Sequence, residues 1–318
     1  MSGSILQRIV RVGLLALLAL LQANPALAGP PQRFVVFGDS LSDPGNAFVL
    51  TGDIAVPPFS LIPNAPYARG GLHFSDGATW VEQLSVFDDA IPSAGPALLH
   101  PVLFSNYAVG GARARTRTPP EEFFDLSRQV GQFADDFGPQ APADALYIVF
   151  VGGNDVRDAL LALDPLDPTF ATSFGIIDAA VDAIGANLLA LHAAGAQSFL
   201  VANAPNLGLA PAVHLLGPVA TFLAAQFNTE LEAKLQEPEF TGLNIVPLNV
   251  FGILSEVVAA PEAFGLTNVT QPCIAVDTKT HPFCSNPSAF LFWDGIHPTV
   301  AGHRILAERA RAALNVTP

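Results

Sequence analysis

Phe34-Val-Val-Phe-Gly-Asp-Ser-Leu-Ser-Asp43 is the stretch whose reading decides the fold. Four apolar residues run without polar alternation and stop abruptly at Gly38-Asp39-Ser40. That pattern predicts a strand buried on both faces, delivering a side chain into a turn. Open α/β sheets carry their chemistry at the carboxyl ends of their strands, which makes Ser40 a candidate nucleophile. A hydroxyl without a neighbouring base is a weak nucleophile, however. On this stretch alone, the competing reading is that Asp39 and Ser40 only cap the segment that follows.

The same pattern recurs along the chain. Ala145-Leu-Tyr-Ile-Val-Phe-Val151 is a second continuous apolar run, and it ends in Gly152-Gly153-Asn154-Asp155. Ile177, Val181, Ile184, Leu188 and Leu191 then recur at helical spacing up to Gly195. Ser198 to Ala202 reads as a third strand, Val219 to Leu235 as a helix and Leu243 to Leu248 as a further strand. Pro247 marks the end of that strand or an edge position. Val300 to Leu314 reads as a closing amphipathic helix, with His303 on its surface. Strand and helix in alternation predict an α/β fold, a parallel sheet with helices on both faces. Asp53 to Gly77 breaks the alternation with Pro57, Pro58, Pro63 and Pro66 among Phe59, Tyr67 and Phe74. It is read as an ordered excursion that shapes a substrate site, or as a plain surface loop.

Composition narrows the function. Half of the 318 residues are hydrophobic and 13% are charged, which excludes disorder and provides a large core. Lys and Arg total 14 against 28 Asp and Glu, a net charge of −14 that repels phosphate backbones, so no nucleic-acid partner is expected. Arg8 and Arg11 precede the apolar run Val12 to Leu21, and Ala26-Leu27-Ala28 closes it. This is the pattern of a cleaved signal peptide over residues 1–28, too short to span a bilayer comfortably, and it predicts a secreted or periplasmic protein. Residues 29–318 are expected to form one domain. Cys273 and Cys284 are the two cysteines of the chain, and in an exported protein they read as a disulfide.

Near the other end, Phe292-Trp-Asp-Gly-Ile-His-Pro-Thr299 places Asp294 three residues before His297. A carboxylate at that spacing can hold the histidine ring and stabilise the imidazolium formed when His297 takes a proton. The pair alone does not distinguish a base from coincidence. His73, His100, His192, His214, His281 and His303 show no metal-ligand spacing, and no phosphate-cradling or dinucleotide loop occurs. Neither metal nor cofactor is expected. Asn106-Tyr-Ala-Val-Gly-Gly-Ala112 and Gly152-Gly-Asn-Asp155 could each supply donors for a developing oxyanion, or be ordinary glycine turns.

Taken in order, Gly38-Asp-Ser-Leu41, the glycine of Asn106 to Ala112, Gly152-x-Asn154-Asp155 and Asp294-x-x-His297 resemble the four blocks of the GDSL esterases and lipases, or SGNH hydrolases. The blocks span residues 34 to 299, and the wording around them is most similar to the secreted bacterial and plant-type branch. The resemblance implies a flavodoxin-like three-layer αβα sandwich and a serine hydrolase. It assigns Ser40 as nucleophile, His297 as base and then acid, and Asp294 as its orienter. The implied oxyanion donors are the backbone N–H groups of Ser40 and Gly111 and the side chain of Asn154. Gly110 adjoins Gly111 and remains the alternative. Gly38-Asp-Ser-Leu-Ser42 lacks the second glycine of the α/β-hydrolase elbow.

The expected activity is hydrolysis of lipid or short-chain acyl esters through an acyl-enzyme. Acyl transfer to an alcohol and removal of acetyl groups from a carbohydrate use the same residues, and a non-catalytic binding module is the reading from another class. The expected partners are a small-molecule or lipid ester and, transiently, lipid surfaces, with no stable protein partner. Some relatives carry a C-terminal membrane barrel. Here the chain ends at Pro318, fifteen residues past His303, and no barrel is expected. Cys284 lies ten residues before Asp294, so the disulfide would brace the approach to the histidine turn.

Overall fold

The structure is a computed structural model and describes residues 31–51, 71–87, 92–118, 124–274 and 284–316. Residues 1–28, expected to be a cleaved signal peptide, and the proline-rich part of the excursion through Gly70 lie outside the described residues.

Four parallel strands form the central sheet in the order β1 (Arg33–Gly38), β2 (Ala145–Phe150), β3 (Ser198–Ala202) and β4 (Asn244–Leu248). Arg33 is in register with Ala145, Leu146 with Ser198, and Ser198 with Asn244. Every residue of β2 and β3 is buried, which is why these strands read as unbroken apolar runs rather than alternating ones. Pro247 is exposed on the edge strand β4, where a missing N–H breaks no ladder on the open side.

Successive side chains point to opposite faces of the sheet and feed two separate cores. Val35, Phe37, Tyr147, Val149, Phe199 and Val201 pack with α3 (Leu126–Phe137), α4 (Gly153–Leu161), α5 (Ala171–Ala193) and α6 (Gly217–Leu235). Phe34, Val36, Leu146, Ile148, Leu200 and Val246 pack with α2 (Trp80–Phe87), α7 (Val250–Ala259) and α8 (Val300–Val316), while the short α1 (Asn46–Thr51) follows the turn after β1. These are the three layers expected from the resemblance. By length and composition α5 could cross a membrane, but Ile177, Val181, Ile184, Leu188 and Leu191 are buried against the sheet.

Residues 105–109 extend the sheet beyond β1. Val36 N–H donates to Ser105 O (2.9 Å), and Val36 O accepts from Tyr107 N–H (2.7 Å). This irregular segment precedes β2 in the chain but lies on the far side of β1, so the strand order reverses between β1 and β2. Ligand sites in doubly wound sheets form at such a reversal, outside the carboxyl ends of the strands. Ser40 follows β1 and Asn154 follows β2.

A smaller parallel pair, β5 (Asn268–Pro272) and β6 (Phe290–Phe292), lies apart from the main sheet. It leads into the Asp294–His297 turn.

Candidate active site

β1 ends where its backbone comes too close to a neighbour to carry a side chain. A Cβ on Gly38 would lie 2.7 Å from the Phe150 carbonyl oxygen. Gln129 on α3 clamps the same glycine, accepting its N–H at Oε1 (2.8 Å) and donating from Nε2 to its carbonyl (2.7 Å). In the turn that follows, Asp39 Oδ1 accepts Leu41 N–H (3.0 Å) and Asp39 O accepts Ser42 N–H (3.0 Å). Capping of this segment therefore falls to Asp39. Ser40 Oγ instead lies 2.8 Å from His297 Nε2.

His297 is held by the shortness of its own turn. Asp294 Oδ1 accepts the backbone N–H groups of Ile296 (2.8 Å) and His297 (2.7 Å), while Oδ2 lies 2.7 Å from His297 Nδ1. A carboxylate accepts only, so Nδ1 carries the proton and Nε2 is left to accept from the serine hydroxyl. Phe74 packs against the imidazole with ring centroids 5.4 Å apart. Ser75 Oγ donates to Pro298 O (2.9 Å), and Asp76 Oδ1 accepts Val300 N–H (2.7 Å) at the start of α8. The described end of the excursion thus fastens the histidine turn from above. Ser40, Asp294 and His297 are 8%, 4% and 3% exposed, so the chain of hydrogen bonds between them is shielded from water.

The two glycines left open by the sequence differ in their bonding. Gly110 N–H donates to Asp43 Oδ2 (2.8 Å). Gly111 N–H makes no hydrogen bond among the described residues, and its φ of +82° turns the backbone into a conformation that suits glycine. Ser40 N–H is likewise uncommitted among them. Asn154, on the first turn of α4, donates one Nδ2 hydrogen to Ala112 O (2.9 Å), which leaves the second available.

Several residues that hold these donors had no assigned role in the sequence. Asp43 accepts the N–H groups of Gly45 (2.8 Å), Asn46 (2.6 Å) and Ala47 (3.1 Å) as well as that of Gly110, tying the serine turn to the glycine turn. Asn46 Nδ2 donates to the carbonyls of Asn106 (2.7 Å) and Ala108 (2.9 Å), and Asn106 Nδ2 donates to Ser42 O (2.8 Å). Asp155, beside Asn154, accepts Ala114 N–H (2.8 Å) and pairs with Arg115 (2.8 Å). Arg113 pairs with Asp158 (2.7 Å) and Arg117 with Asp125 (2.7 Å), which pins the segment after Gly111. Asp43, two residues before Gly45 in the loop after β1, carries an Asx-turn signal. No local signal points to Gln129, 91 residues from its partner.

Burial shifts three carboxyls beside the site, and it pushes Asp43 up to about 6 against the lowering pull of the N–H groups it accepts. It pushes Asp39 up to about 6, against the lowering pull of Leu41 N–H and His297. It pushes Asp155 up to about 6, against Ala114 N–H and Arg115. His303 corrects the sequence reading, because it is 1% exposed rather than on the surface. It accepts Trp80 N–H at Nδ1 (3.3 Å), and burial with the neighbouring His297 and His73 pushes it down to about 3. Helical periodicity alone places it on α8 but does not reveal that α2 covers that side. Cys273 and Cys284 form a disulfide with Cα atoms 4.9 Å apart. Cys273 N–H donates to Phe292 O (3.0 Å) and Ile274 N–H to Trp293 O (2.9 Å), so the bridge joins the strand just before Asp294. Among the described residues, no group of three or more His, Cys, Asp or Glu is placed to hold a metal ion.

The sequence profile of the GDSL-like lipases/acylhydrolases matches residues 34–310. The chain belongs to this GDSL family. It is 30% identical to esterase EstA of Pseudomonas aeruginosa over 94% of this chain and 49% of that protein. It is 25% identical to the thermolabile hemolysin of Vibrio parahaemolyticus over 92% of this chain and 66% of that one. With a GDSL esterase/lipase of Arabidopsis thaliana it shares 25% identity over 86% of this chain and 82% of the plant protein. The chain spans about half the length of the Pseudomonas relatives it matches. All four GDSL-type blocks lie within the matched residues and meet at the carboxyl edge of the sheet.

Proposed function

We propose that the protein is an exported hydrolase of carboxylic esters that works through an acyl-enzyme on Ser40. The observation that carries the reading is the buried chain from Asp294 to His297 (2.7 Å) and from His297 to Ser40 (2.8 Å). Ser40 Oγ attacks the ester carbonyl while its proton passes to His297 Nε2, and Asp294 stabilises the imidazolium. Charge developing on the carbonyl oxygen is met by Ser40 N–H, Gly111 N–H and Asn154 Nδ2. As the tetrahedral intermediate collapses, His297 returns the proton to the leaving alcohol. Water then gives its proton to His297 and attacks the acyl-enzyme, which releases the acid and restores Ser40.

Membership of the GDSL family and relatives named esterase or esterase/lipase support this chemistry. Export is supported by the leader pattern of residues 1–28 and by a disulfide, a bond that persists in oxidising compartments. A lipidic substrate and transient contact with a lipid surface are favoured by exposed Leu161, Leu166, Leu215, Leu216 and Phe222. Leu215 and Leu216 end the turn Pro211–Leu216, in which Ala212 N–H donates to Gly295 O (2.9 Å) within the histidine turn.

Turnover of p-nitrophenyl esters tests the mechanism. Ser40→Ala and His297→Asn are each expected to lower kcat by about 10³-fold or more. Undiminished turnover by folded Ser40→Ala overturns it.

A further inference from the structure

An apolar cavity of about 80 Å³ lies between α7, α8 and β6, below the carboxyl end of β2. Its walls carry no polar side chain at all: apart from Gly302, every lining residue is apolar. Leu41, the next residue after Ser40, forms part of the wall, as do Ile296 and Pro298 on either side of His297. These three are half-buried, as are Pro205, Ile253 and Leu254, whereas Val257, Leu291, Phe292 and Leu306 are buried. The half-buried rim of the cavity therefore includes the residues that flank Ser40 and His297 in the chain.

We propose that this cavity is the acyl-chain site and selects acyl groups of medium length; the inference rests on the serine-esterase reading. A space without polar partners holds water poorly and suits a hydrocarbon chain. By the same measure one water occupies roughly 10–15 Å³, and at a similar volume per methylene the cavity takes a chain of about five to eight carbons. An ester carbonyl at Ser40 can send its acyl chain past Leu41 and Ile296 into this space, while its oxygen faces Gly111 and Asn154. The alcohol half then lies outside the cavity, so selectivity falls on the acid rather than on the alcohol. Each methylene placed there contributes about fourfold to binding.

A chain-length series of p-nitrophenyl esters tests the site. In the wild type, kcat/KM is expected to rise from acetate to octanoate and to fall at palmitate. Ile253 lies on the α7 wall, outside the machinery of the reaction. Ile253→Trp fills the space and is expected to lower kcat/KM for octanoate by about tenfold or more, with acetate kept within about twofold. Ile253→Ala enlarges it and moves the optimum to longer chains. An unchanged octanoate-to-acetate ratio in folded Ile253→Trp overturns the proposal. Calorimetric titration of Ser40→Ala with octanoate and butyrate needs no turnover and tests the cavity separately from the mechanism. Tighter binding of octanoate, weakened by adding Ile253→Trp, supports the site. Equal binding of the two acids overturns it even if Ser40 is the nucleophile.

Discussion

Asp43 accepts backbone N–H groups from Gly45, Asn46, Ala47 and Gly110 while fully buried, and so couples the turn that carries Ser40 to the turn that carries Gly111. Asp43→Ala leaves these donors without an acceptor, and each buried unsatisfied group costs about 1–3 kcal/mol. The expected result is a lower Tm together with a kcat that falls more than KM rises, because the misplaced donor acts on the transition state. Thermal unfolding and steady-state kinetics on one preparation read both effects, and an unchanged kcat would separate Asp43 from the donor geometry. Asn154→Ala removes one of the proposed oxyanion donors directly. It is expected to cost about 10²–10³ in kcat with little change in KM. These residue-scale roles were only partly legible. The roles proposed for Ser40, Asp294, His297 and Asn154 rest on motif and spacing, whereas the clamp of Gln129 on Gly38 joins residues 91 apart and leaves no local trace.

β1, β2 and β3 were legible because burial on both faces demands unbroken apolar residues. The segment 105–109 was not: its polar Asn106 is buried by hydrogen bonds to Ser42 and Ala108 rather than by apolar packing. The disulfide belongs to this scale as well. Its cysteines are 11 residues apart, a loop closure worth about 3 kcal/mol in the chain-entropy model. The double variant Cys273→Ser/Cys284→Ser is expected to lose Tm while keeping ester turnover at 25 °C, since the Asp294–His297 turn is closed by its own hydrogen bonds. Unchanged melting with abolished turnover would reverse that assignment. Gly152, at the start of α4, has φ of +127°, and a Cβ there would fall 2.3 Å from the Phe227 ring. Gly152→Ala is expected to lower both Tm and kcat, because relieving the clash displaces the helix that carries Asn154.

The molecule as a whole carries buried titratable groups that act in opposite directions on stability. His303 is held down to about 3 from its ordinary 6.5, so between those values the unfolded chain binds the extra proton. Its contribution is present above pH 6.5 and lost as the pH falls, by up to a few kcal/mol. Asp39, Asp43 and Asp155, raised to about 6, contribute in the reverse sense: theirs is present below about pH 3.8 and lost as the pH rises through 6. His303→Gln removes the first contribution and leaves those of the three carboxyls. Its Tm is expected to fall less than that of the wild type between pH 6.5 and 4, and equal slopes would place the acid sensitivity elsewhere.

The sequence by itself determined the alternation of strand and helix and the family, and it pointed to the serine, histidine, carboxylate and amide of the proposed site. Those features are local: a buried strand, a helical face and a three-residue turn each write themselves into neighbouring residues. Only the tertiary structure decided which glycine N–H is uncommitted, that His303 is buried, and that an apolar cavity opens beside Leu41 and Ile296. These depend on which distant segments meet. The hydrogen bond from Ser40 to His297 itself spans 257 residues, and only packing of two helical layers on one sheet brings its ends together.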